Sequence, residues 1–184
     1  MKDKDVLDVC SYTGGFTLHA LRAGANSVKA VDSSESALRH LLYQIHLNEN
    51  KGTLPEGSRD KVEIEAYDCF EYVRGIEENK YDVIILDPPK LAQTKGKLEN
   101  ATRAYKDLNR VAMLKIKNGG IIATFSCSGA MTRENFLLTL SWAAADAGVE
   151  VQVLETLSQG SDHPQRLSFP ESQYLKGFIL RVIK

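Results

Sequence analysis

The chain has few cysteines, a single tryptophan and almost no net charge. Its three cysteines, Cys10, Cys69 and Cys127, form an odd set without the spacing of metal ligands. We therefore expect neither a disulfide framework nor a metal site, and a reducing compartment. No apolar run approaches the length of a membrane span, and the first residues lack the apolar segment of a secretory signal. These absences predict a cytoplasmic protein with no membrane partner.

The overall charge is equally uninformative, because 23 basic residues stand against 24 acidic ones. A near-neutral chain gives no global sign of a nucleic-acid or membrane partner. The 184 residues, 43% of them hydrophobic, suffice for one globular domain with its own core. Since the first strand is predicted only a few residues from the start, we expect the chain to be the catalytic domain of a longer protein.

Short apolar runs alternate with segments of helical period, an order typical of βα units in a mostly parallel sheet. Seven strands are predicted, over residues 6–9, 28–31, 62–65, 81–86, 121–125, 149–154 and 178–182. Ser34 can cap a helix after the second strand, and another helix is expected over residues 132–147, where Gly148 ends it. The sequence therefore predicts an α/β fold.

A glycine-rich turn follows the first predicted strand. It consists of Tyr12, Thr13, Gly14, Gly15 and Phe16. Adjacent glycines let a backbone pass close to a ligand. The turn lacks the Gly-x-Gly-x-x-Gly spacing of a dinucleotide site, which disfavours a nicotinamide cofactor.

Acidic residues follow the next two strands. Asp32 stands where a carboxylate can accept hydrogen bonds from both ribose hydroxyls of a nucleoside. The Asp68 carboxylate can accept a hydrogen bond from the exocyclic amine of adenine, while the backbone amide of Cys69 donates one to a ring nitrogen. Taken singly, such glycines often serve only a turn, and such aspartates often only cap a helix. Their order along consecutive strands favours a nucleoside ligand without phosphates, such as S-adenosyl-L-methionine.

Two strand ends carry the candidate chemistry. Residues 83–86 run into Asp87-Pro88-Pro89-Lys90, and residues 121–125 run into Ser126-Cys127-Ser128-Gly129. Because reactive groups of open α/β sheets lie beyond the carboxyl ends of the strands, both segments should border one crevice. Cys127 is then a candidate nucleophile. The alternative is a core cysteine after a buried strand, but its polar neighbours favour the reactive interpretation.

Four motifs occur together in the chain: Ser11-Tyr12-Thr13-Gly14-Gly15-Phe16, Asp87-Pro88-Pro89-Lys90, Phe125-Ser126-Cys127-Ser128-Gly129 and Tyr174-Leu175-Lys176-Gly177-Phe178. With them the chain resembles, over nearly its whole length, bacterial 23S ribosomal RNA 5-methylcytosine methyltransferases. The resemblance implies a Rossmann-like class I methyltransferase fold, with a seven-stranded, mostly parallel sheet, one antiparallel strand and helices on both faces. It also implies S-adenosyl-L-methionine held by the turn at residues 12–16, Asp32 and Asp68, with Asp87 between cofactor and base. By the same resemblance, Cys127 is the nucleophile.

A cysteine is needed because carbon 5 of cytosine is a poor nucleophile until a thiolate adds at carbon 6. Asp87 would hydrogen-bond the ring as charge develops, and Pro88, Pro89 and Lys90 would contact the substrate. Many RNA 5-methylcytosine enzymes resemble each other in a second cysteine after the two prolines, where this chain has Lys90. The base that removes the carbon 5 proton therefore stays unassigned.

Two other functions remain open from the sequence. A nucleobase amino-group methyltransferase could use the same Asp-Pro-Pro turn, although an aromatic residue usually follows the prolines in such enzymes. A catalytically silent RNA-binding module could keep the cofactor fold. Relatives of the resembled family also resemble one another in an N-terminal RNA-binding domain, for which this chain has no counterpart. We therefore expect these 184 residues to fold but to bind RNA weakly, and cofactor affinity stays open.

Positive charge is concentrated between residues 90 and 117, where eight basic residues stand against two acidic ones. On a helix expected over residues 101–117, Arg103, Lys106, Arg110 and Lys117 share one side. Such a stripe can neutralise phosphates of ribosomal RNA, although an ordinary solvated helix face has the same pattern. His163, in the loop over residues 158–172, is a further candidate for substrate contact or proton transfer. The oligomeric state stays open, with a homodimer among the options.

Overall fold

The structure is a computed structural model that describes residues 1–92, 95–169 and 172–184. Residues 93–94, within the predicted basic segment, and residues 170–171, within the loop that carries His163, lie outside the described part. The side chain of Lys95, one of the eight basic residues, is outside it as well.

The described residues form one seven-stranded sheet with five α-helices. The strands are β1 (Asp5–Val9), β2 (Ser27–Asp32), β3 (Val62–Ala66), β4 (Val83–Leu86), β5 (Ile121–Ser126), β6 (Glu150–Leu157) and β7 (Lys176–Ile183). The helices are α1 (Gly15–Arg22), α2 (Glu35–Asn50), α3 (Cys69–Gly75), α4 (Leu98–Lys115) and α5 (Arg133–Ala147). The strand order is β3-β2-β1-β4-β5-β7-β6, and β7 runs antiparallel to both of its neighbours. The predicted seven strands and single antiparallel strand are confirmed.

Helices cover both faces of the sheet, as expected. Alternate residues of β1 point to opposite faces, so Leu7 and Val9 join one apolar cluster and Val6 joins the other. The first cluster packs against α3, α4 and α5, with Tyr105 and Phe136 among its fully buried side chains. The second packs against α1 and α2 and includes Leu21, Leu38, Leu41 and Ile45. Two apolar layers therefore fix the strands whose ends carry the candidate site.

The helix ends follow the predicted chemistry. The Ser34 hydroxyl accepts a hydrogen bond from the Ala37 amide (3.3 Å), and the Thr132 hydroxyl accepts one from the Asn135 amide (3.1 Å). Gly148 ends α5 in the left-handed conformation with φ of 66°. None of the described helices has the length and apolar character that a membrane crossing requires.

Several predicted boundaries differ from the observed ones. β6 ends at Leu157 and not at residue 154, and β7 begins at Lys176 and not at residue 178. The strand expected from residue 81 begins at Val83, directly after Asp82, whose carboxylate accepts hydrogen bonds from the Asp5 amide (3.0 Å) and the Lys117 ammonium (2.8 Å). The helix expected over residues 101–117 runs from Leu98 to Lys115, since Ile116 is extended and buried in the core. Lys117 therefore lies outside α4 and does not share its basic side.

Candidate functional site

A cleft of about 400 Å³ opens beyond the carboxyl ends of β1, β2 and β4. Its lining residues are Cys10, Tyr12, Asp32, Ser33, Asp68, Cys69, Phe70, Asp87 and Pro89. The strand order turns at this point, because the chain steps from β1 outward to β2 and β3 and then returns to β4 on the other side of β1. Ligands of open α/β sheets bind at such a switch point.

The turn after β1 contains unusual backbone conformations. Cys10, Tyr12 and Gly14 have positive φ angles of 61°, 47° and 83°. The Gly14 amide donates to the Ser11 carbonyl at 2.8 Å, which closes the turn. Non-glycine residues with positive φ are uncommon and cluster at ligand sites.

Asp32 connects this turn to the next one. Its Oδ2 accepts a hydrogen bond from the Tyr12 amide (2.9 Å), and its Oδ1 accepts one from the Ser34 amide (2.8 Å). A carboxylate has about four acceptor positions, so Asp32 can still accept ligand hydroxyls. The residue predicted to bind ribose thus also organises the cleft wall.

Gly14 is expected to be intolerant of substitution. A Cβ at this position would lie 2.1 Å from Cδ1 of Leu41, and its φ of +83° disfavours any L side chain. We expect Gly14→Ala to lower the free energy of unfolding by about 2–4 kcal/mol, measured by urea denaturation. Gly15→Ala is the matched control, because a Cβ there meets nothing within 4 Å. Equal stability of the two variants would contradict this account of the turn.

After the third strand, Asp68 caps a helix with one of its two carboxylate oxygens. Its Oδ1 accepts a hydrogen bond from the Glu71 amide (2.9 Å) and caps α3, while Oδ2 has no partner among the described residues. The buried Cys69 thiol donates to the Val31 carbonyl (3.6 Å). The contact with Cys69, followed by burial, raises the pKa of the Cys10 thiol. Both cysteines line the cleft, with Cys69 buried and Cys10 partly buried.

Not every predicted cofactor residue reaches the cleft. Tyr12, Asp32, Asp68, Cys69 and Asp87 line it. Thr13 lines a neighbouring depression next to Ser34, and Phe16 stacks on Phe125 with ring centroids 5.3 Å apart. Gly14 and Gly15 shape the turn without lining the cleft.

Beneath the turn lie buried polar atoms that the sequence did not single out. Asp8 is fully buried, and its Oδ2 accepts a hydrogen bond from the Thr17 hydroxyl (2.7 Å). Burial raises the pKa of Asp8 to about 6. Its Oδ1 and the Ser11 hydroxyl have no hydrogen-bond partner among the described residues. Buried groups without partners are costly, and these two atoms are among four such buried side-chain atoms of the described residues.

The segment after β4 brings Asp87 to the cleft. The Asp87 amide donates to the Val9 carbonyl (3.3 Å), and burial raises the pKa of its half-buried carboxyl group. Pro88 is buried, whereas Pro89 and Lys90 are exposed. Of these three predicted substrate contacts, only Pro89 lines the cleft.

Cys127 follows the adjacent strand β5 and is half-buried. Since Leu86 pairs with Thr124 in the parallel ladder, the ends of β4 and β5 lie side by side. Burial, followed by the charge of Asp87, raises the pKa of the Cys127 thiol. The charges of Lys90 and Lys176 act on this pKa in the opposite direction.

A network of buried hydroxyl groups joins the segment after β4 to the segment after β5. The Ser126 hydroxyl donates to the Tyr105 hydroxyl (3.0 Å), which lies 3.2 Å from the Ser128 hydroxyl. The Ser128 hydroxyl also accepts a hydrogen bond from the Ala92 amide (3.0 Å). Because Ala92 belongs to the segment after β4, the network fixes Cys127 relative to Asp87. No sequence pattern indicates this network, since serines beside a cysteine have many roles.

Most of the predicted basic stripe is engaged in ion pairs. Arg103 pairs with Glu99 (2.5 Å), and Lys106 pairs with Asp146 near the end of α5 (2.7 Å). Arg110 pairs with Asp107 (2.8 Å). Lys106 lies about 12 Å along α4 from its start. None of Arg103, Lys106 and Arg110 lines the cleft, and their contact with RNA stays a prediction.

His163 lies in the exposed connection between β6 and β7. Its Nδ1 is 3.1 Å from Oδ2 of Asp162, and its ring meets the edge of Tyr174 at a centroid distance of 6.4 Å. It does not line the cleft. Within residues 1–92, 95–169 and 172–184, no group of three or more histidine, cysteine or acidic side chains could hold a metal ion.

Comparison with curated proteins finds similar sequences. The chain is 44% identical to the ribosomal RNA large subunit methyltransferase I of Tolumonas auensis, over 99% of this chain and 45% of that protein. It is 42% identical to the protein of the same name from Shigella dysenteriae serotype 1, over 100% of this chain and 45% of that protein. The chain thus spans about half the length of the curated relatives it matches. No protein-family model matches it.

Solved structures share the fold. SMU.776, crystallised with SAH, superposes with a TM-score of 0.80 and 24% identity, over 98% of this chain and 45% of that one. TYW2 of P. horikoshii, in complex with MeSAdo, gives a TM-score of 0.67 and 21% identity, over 99% of this chain and 58% of that one. These superpositions and the strand order confirm the predicted Rossmann-like class I methyltransferase fold.

Proposed function

We propose that residues 1–184 are the catalytic domain of an S-adenosyl-L-methionine-dependent methyltransferase that forms 5-methylcytosine in large-subunit ribosomal RNA. The observation that carries the proposal is the placement of Cys127, a half-buried thiol at the end of β5, beside Asp87 at the edge of the nucleoside-sized cleft. The relatives named as large-subunit ribosomal RNA methyltransferases support the substrate. A ribosomal RNA substrate agrees with the cytoplasmic location expected from the sequence.

The cleft fits the proposed cofactor. Its volume is in the range of small-molecule sites, and Asp32 and Asp68 offer acceptors for ribose hydroxyls and an adenine amine. Oδ1 of Asp8 and the Ser11 hydroxyl lack partners that a polar ligand beside the glycine turn could supply. SAH, the compound bound in the SMU.776 complex, is the demethylated form of this cofactor. When bound, S-adenosyl-L-methionine supplies the electrophilic methyl group.

Cys127 supplies the nucleophile. Its thiolate would form a bond to carbon 6 of cytosine, and the displaced electron pair would make carbon 5 nucleophilic enough to accept the methyl group. Loss of the carbon 5 proton to a base would then return the electron pair and break the bond to sulfur. The hydroxyl network around Ser126 and Ser128 holds the thiol at a fixed place during both steps.

Asp87 would act at the polar edge of the same ring. Burial raises its pKa, so the carboxyl group can carry a proton more readily than an exposed aspartate. A protonated carboxyl group can donate to ring nitrogen 3 as negative charge develops there, and a carboxylate can accept from the exocyclic amine. Either contact would hold the cytosine with its carbon 6 toward the thiol.

The RNA contacts are proposed from a smaller set of groups. Pro89 lines the cleft, the exposed Lys90 follows it in the chain, and Arg103 lies in the second turn of α4. The Arg103–Glu99 pair is exposed, and exposed pairs contribute only about 0–1 kcal/mol, so phosphate can replace Glu99. His163 would contact RNA from the β6–β7 connection.

The nucleoside product tests this proposal. A longer protein that contains the chain is incubated with large-subunit ribosomal RNA and radiolabelled cofactor, and the RNA is digested to nucleosides. We expect the label in 5-methylcytidine. Label in an N-methylated nucleoside would favour an amino-group methyltransferase, and no label would favour a silent RNA-binding module. Either result would overturn the proposal.

A further inference from the structure

We infer that Lys176 is a positioning residue for Cys127, whose buried ammonium fixes the segment after the thiol and stabilises the thiolate by its charge. The inference rests on the proposed function, because it assumes that Cys127 reacts as a thiolate. It concerns a residue outside the nucleoside cleft that none of the sequence-based site predictions included.

The position of Lys176 follows from the antiparallel strand. Lys176 is the first residue of β7 and pairs with Ser126, the last residue of β5, directly before Cys127. Its Nζ donates a hydrogen bond at 2.8 Å to the carbonyl of Ser128, which follows the end of β5. A second hydrogen bond goes to the Tyr174 carbonyl, also at 2.8 Å. The ammonium therefore holds the residue after the thiol against the start of β7.

The ammonium is unusual because it is buried and its hydrogen bonds among the described residues go to backbone carbonyls. Lys176 is only 7% exposed, and no carboxylate of the described residues lies within salt-bridge distance of Nζ. Buried lysines are ordinarily paired, since removing an ammonium from water is costly. Burial accordingly lowers the pKa of Lys176, and a Cys127 thiolate raises it. A Cys127 thiolate thus supplies a negative charge beside this buried ammonium.

Other charges around the pair act in both directions. Asp87 disfavours the thiolate, whereas Lys90 favours it. Arg133 and Lys90 disfavour the Lys176 ammonium, and the Tyr105 hydroxyl faces Cys127 from α4. Lys90 is exposed to solvent, which screens its charge. Lys176 is the buried cation of the two, and two hydrogen bonds fix the position of its ammonium.

The test measures the thiol directly. The rate of Cys127 alkylation by iodoacetamide is followed against pH by mass spectrometry for the wild type, Lys176→Gln and Lys184→Gln. Glutamine keeps one donor for the Ser128 carbonyl but removes the charge. Lys184 is the matched control, because its Nζ also donates to a backbone carbonyl, that of Leu114 at 2.8 Å, at the far end of β7.

We expect Lys176→Gln to raise the midpoint of the alkylation profile by about one pH unit, because a positive charge that favours the thiolate is lost. At a pH below both midpoints, the alkylation rate should fall about tenfold. Lys184→Gln should match the wild type. An unchanged midpoint in a folded Lys176→Gln protein would overturn the inference, since a purely structural lysine would leave the thiol profile unchanged.

A reciprocal measurement covers the case in which Lys176→Gln does not fold. Cys127→Ala removes the thiolate with a small change of volume, and the Lys176 amino group is titrated by NMR of its labelled Cε. We expect its midpoint to fall relative to the wild type, because coupling between two sites is mutual. Identical midpoints would contradict the coupling.

Failure of this inference is distinguishable from failure of the proposed function. Both titrations are performed without RNA and cofactor. If Cys127→Ala still transfers methyl groups, the proposed function fails whatever the titrations show. If that variant is inactive while the titrations show no coupling, only the role of Lys176 is refuted.

Discussion

Replacing Cys127 with alanine is expected to lower the rate of methyl transfer to cytosine by roughly 10⁴-fold, because the reaction loses its covalent step. The substitution removes one sulfur atom from a half-buried site and leaves the hydroxyls of Ser126 and Ser128 in place. The cleft that should hold the cofactor is not lined by Cys127. We therefore expect SAH to bind the variant with the affinity of the wild type, measured by calorimetry.

Retained SAH binding is the internal control for that result. A variant that binds SAH normally but transfers no methyl group has lost chemistry and not structure. Cys127→Ser is a second informative variant, because a hydroxyl of ordinary pKa is a far weaker nucleophile than a thiolate. Methyl transfer at the wild-type rate by either variant would rule out sulfur attack.

Replacing Asp32 with alanine is expected to weaken SAH binding about 100-fold. Hydrogen bonds to a charged group contribute about 1.5–3 kcal/mol each, and a tenfold change in affinity corresponds to about 1.4 kcal/mol. The same carboxylate holds the Tyr12 amide at 2.9 Å and the Ser34 amide at 2.8 Å, so its loss also loosens both turns at the cleft. The affinity is measured by calorimetry at constant salt.

Asp60→Ala provides the comparison for Asp32→Ala. Asp60 is an exposed acidic residue in the short 3-10 helix Arg59–Lys61 and does not line the cleft. We expect its substitution to leave SAH affinity unchanged. Equal affinities of the Asp32 variant and the wild type would show that the nucleoside binds elsewhere.

The centre of the fold could be predicted from the sequence because β1, β4 and β5 are apolar runs buried on both faces. β4, with the sequence Val-Ile-Ile-Leu, is buried at every residue, and a short run of this kind is typical of a central parallel strand. The helix cap at Ser34 and the end of α5 at Gly148 could be predicted equally well, since both depend on local backbone chemistry.

Helix and strand boundaries that depend on residues far apart in the sequence could not be predicted. Ile116 leaves the helical conformation, and Lys117 then pairs with Asp82 and Asp5, which lie far away in the chain. Helical periodicity continues through these residues, so it predicted a longer helix and one basic face. The pairing of Lys106 with Asp146 is another long-range contact that no local pattern reveals.

The site was predictable where residue type dictates chemistry. A cysteine after one strand and acidic residues at the ends of three others indicate reactive and polar positions, and the structure places Asp32, Asp68 and Asp87 around one cleft. The residues that position these groups without lining the cleft could not be predicted. Lysines are mostly exposed, so only the packing of β7 against β5 shows that Lys176 is buried beside Cys127.

Adduct formation tests the central claim most directly. RNA that carries 5-fluorocytosine is incubated with cofactor and a longer protein that contains the chain, and the mixture is then denatured. Fluorine at carbon 5 replaces the hydrogen that must leave, so elimination should stall with sulfur still bound to carbon 6. We predict a protein–RNA adduct that survives denaturation, maps to Cys127 by mass spectrometry and is absent from Cys127→Ala. An adduct of equal yield in that variant, or none with an active wild type, would contradict covalent attack by Cys127.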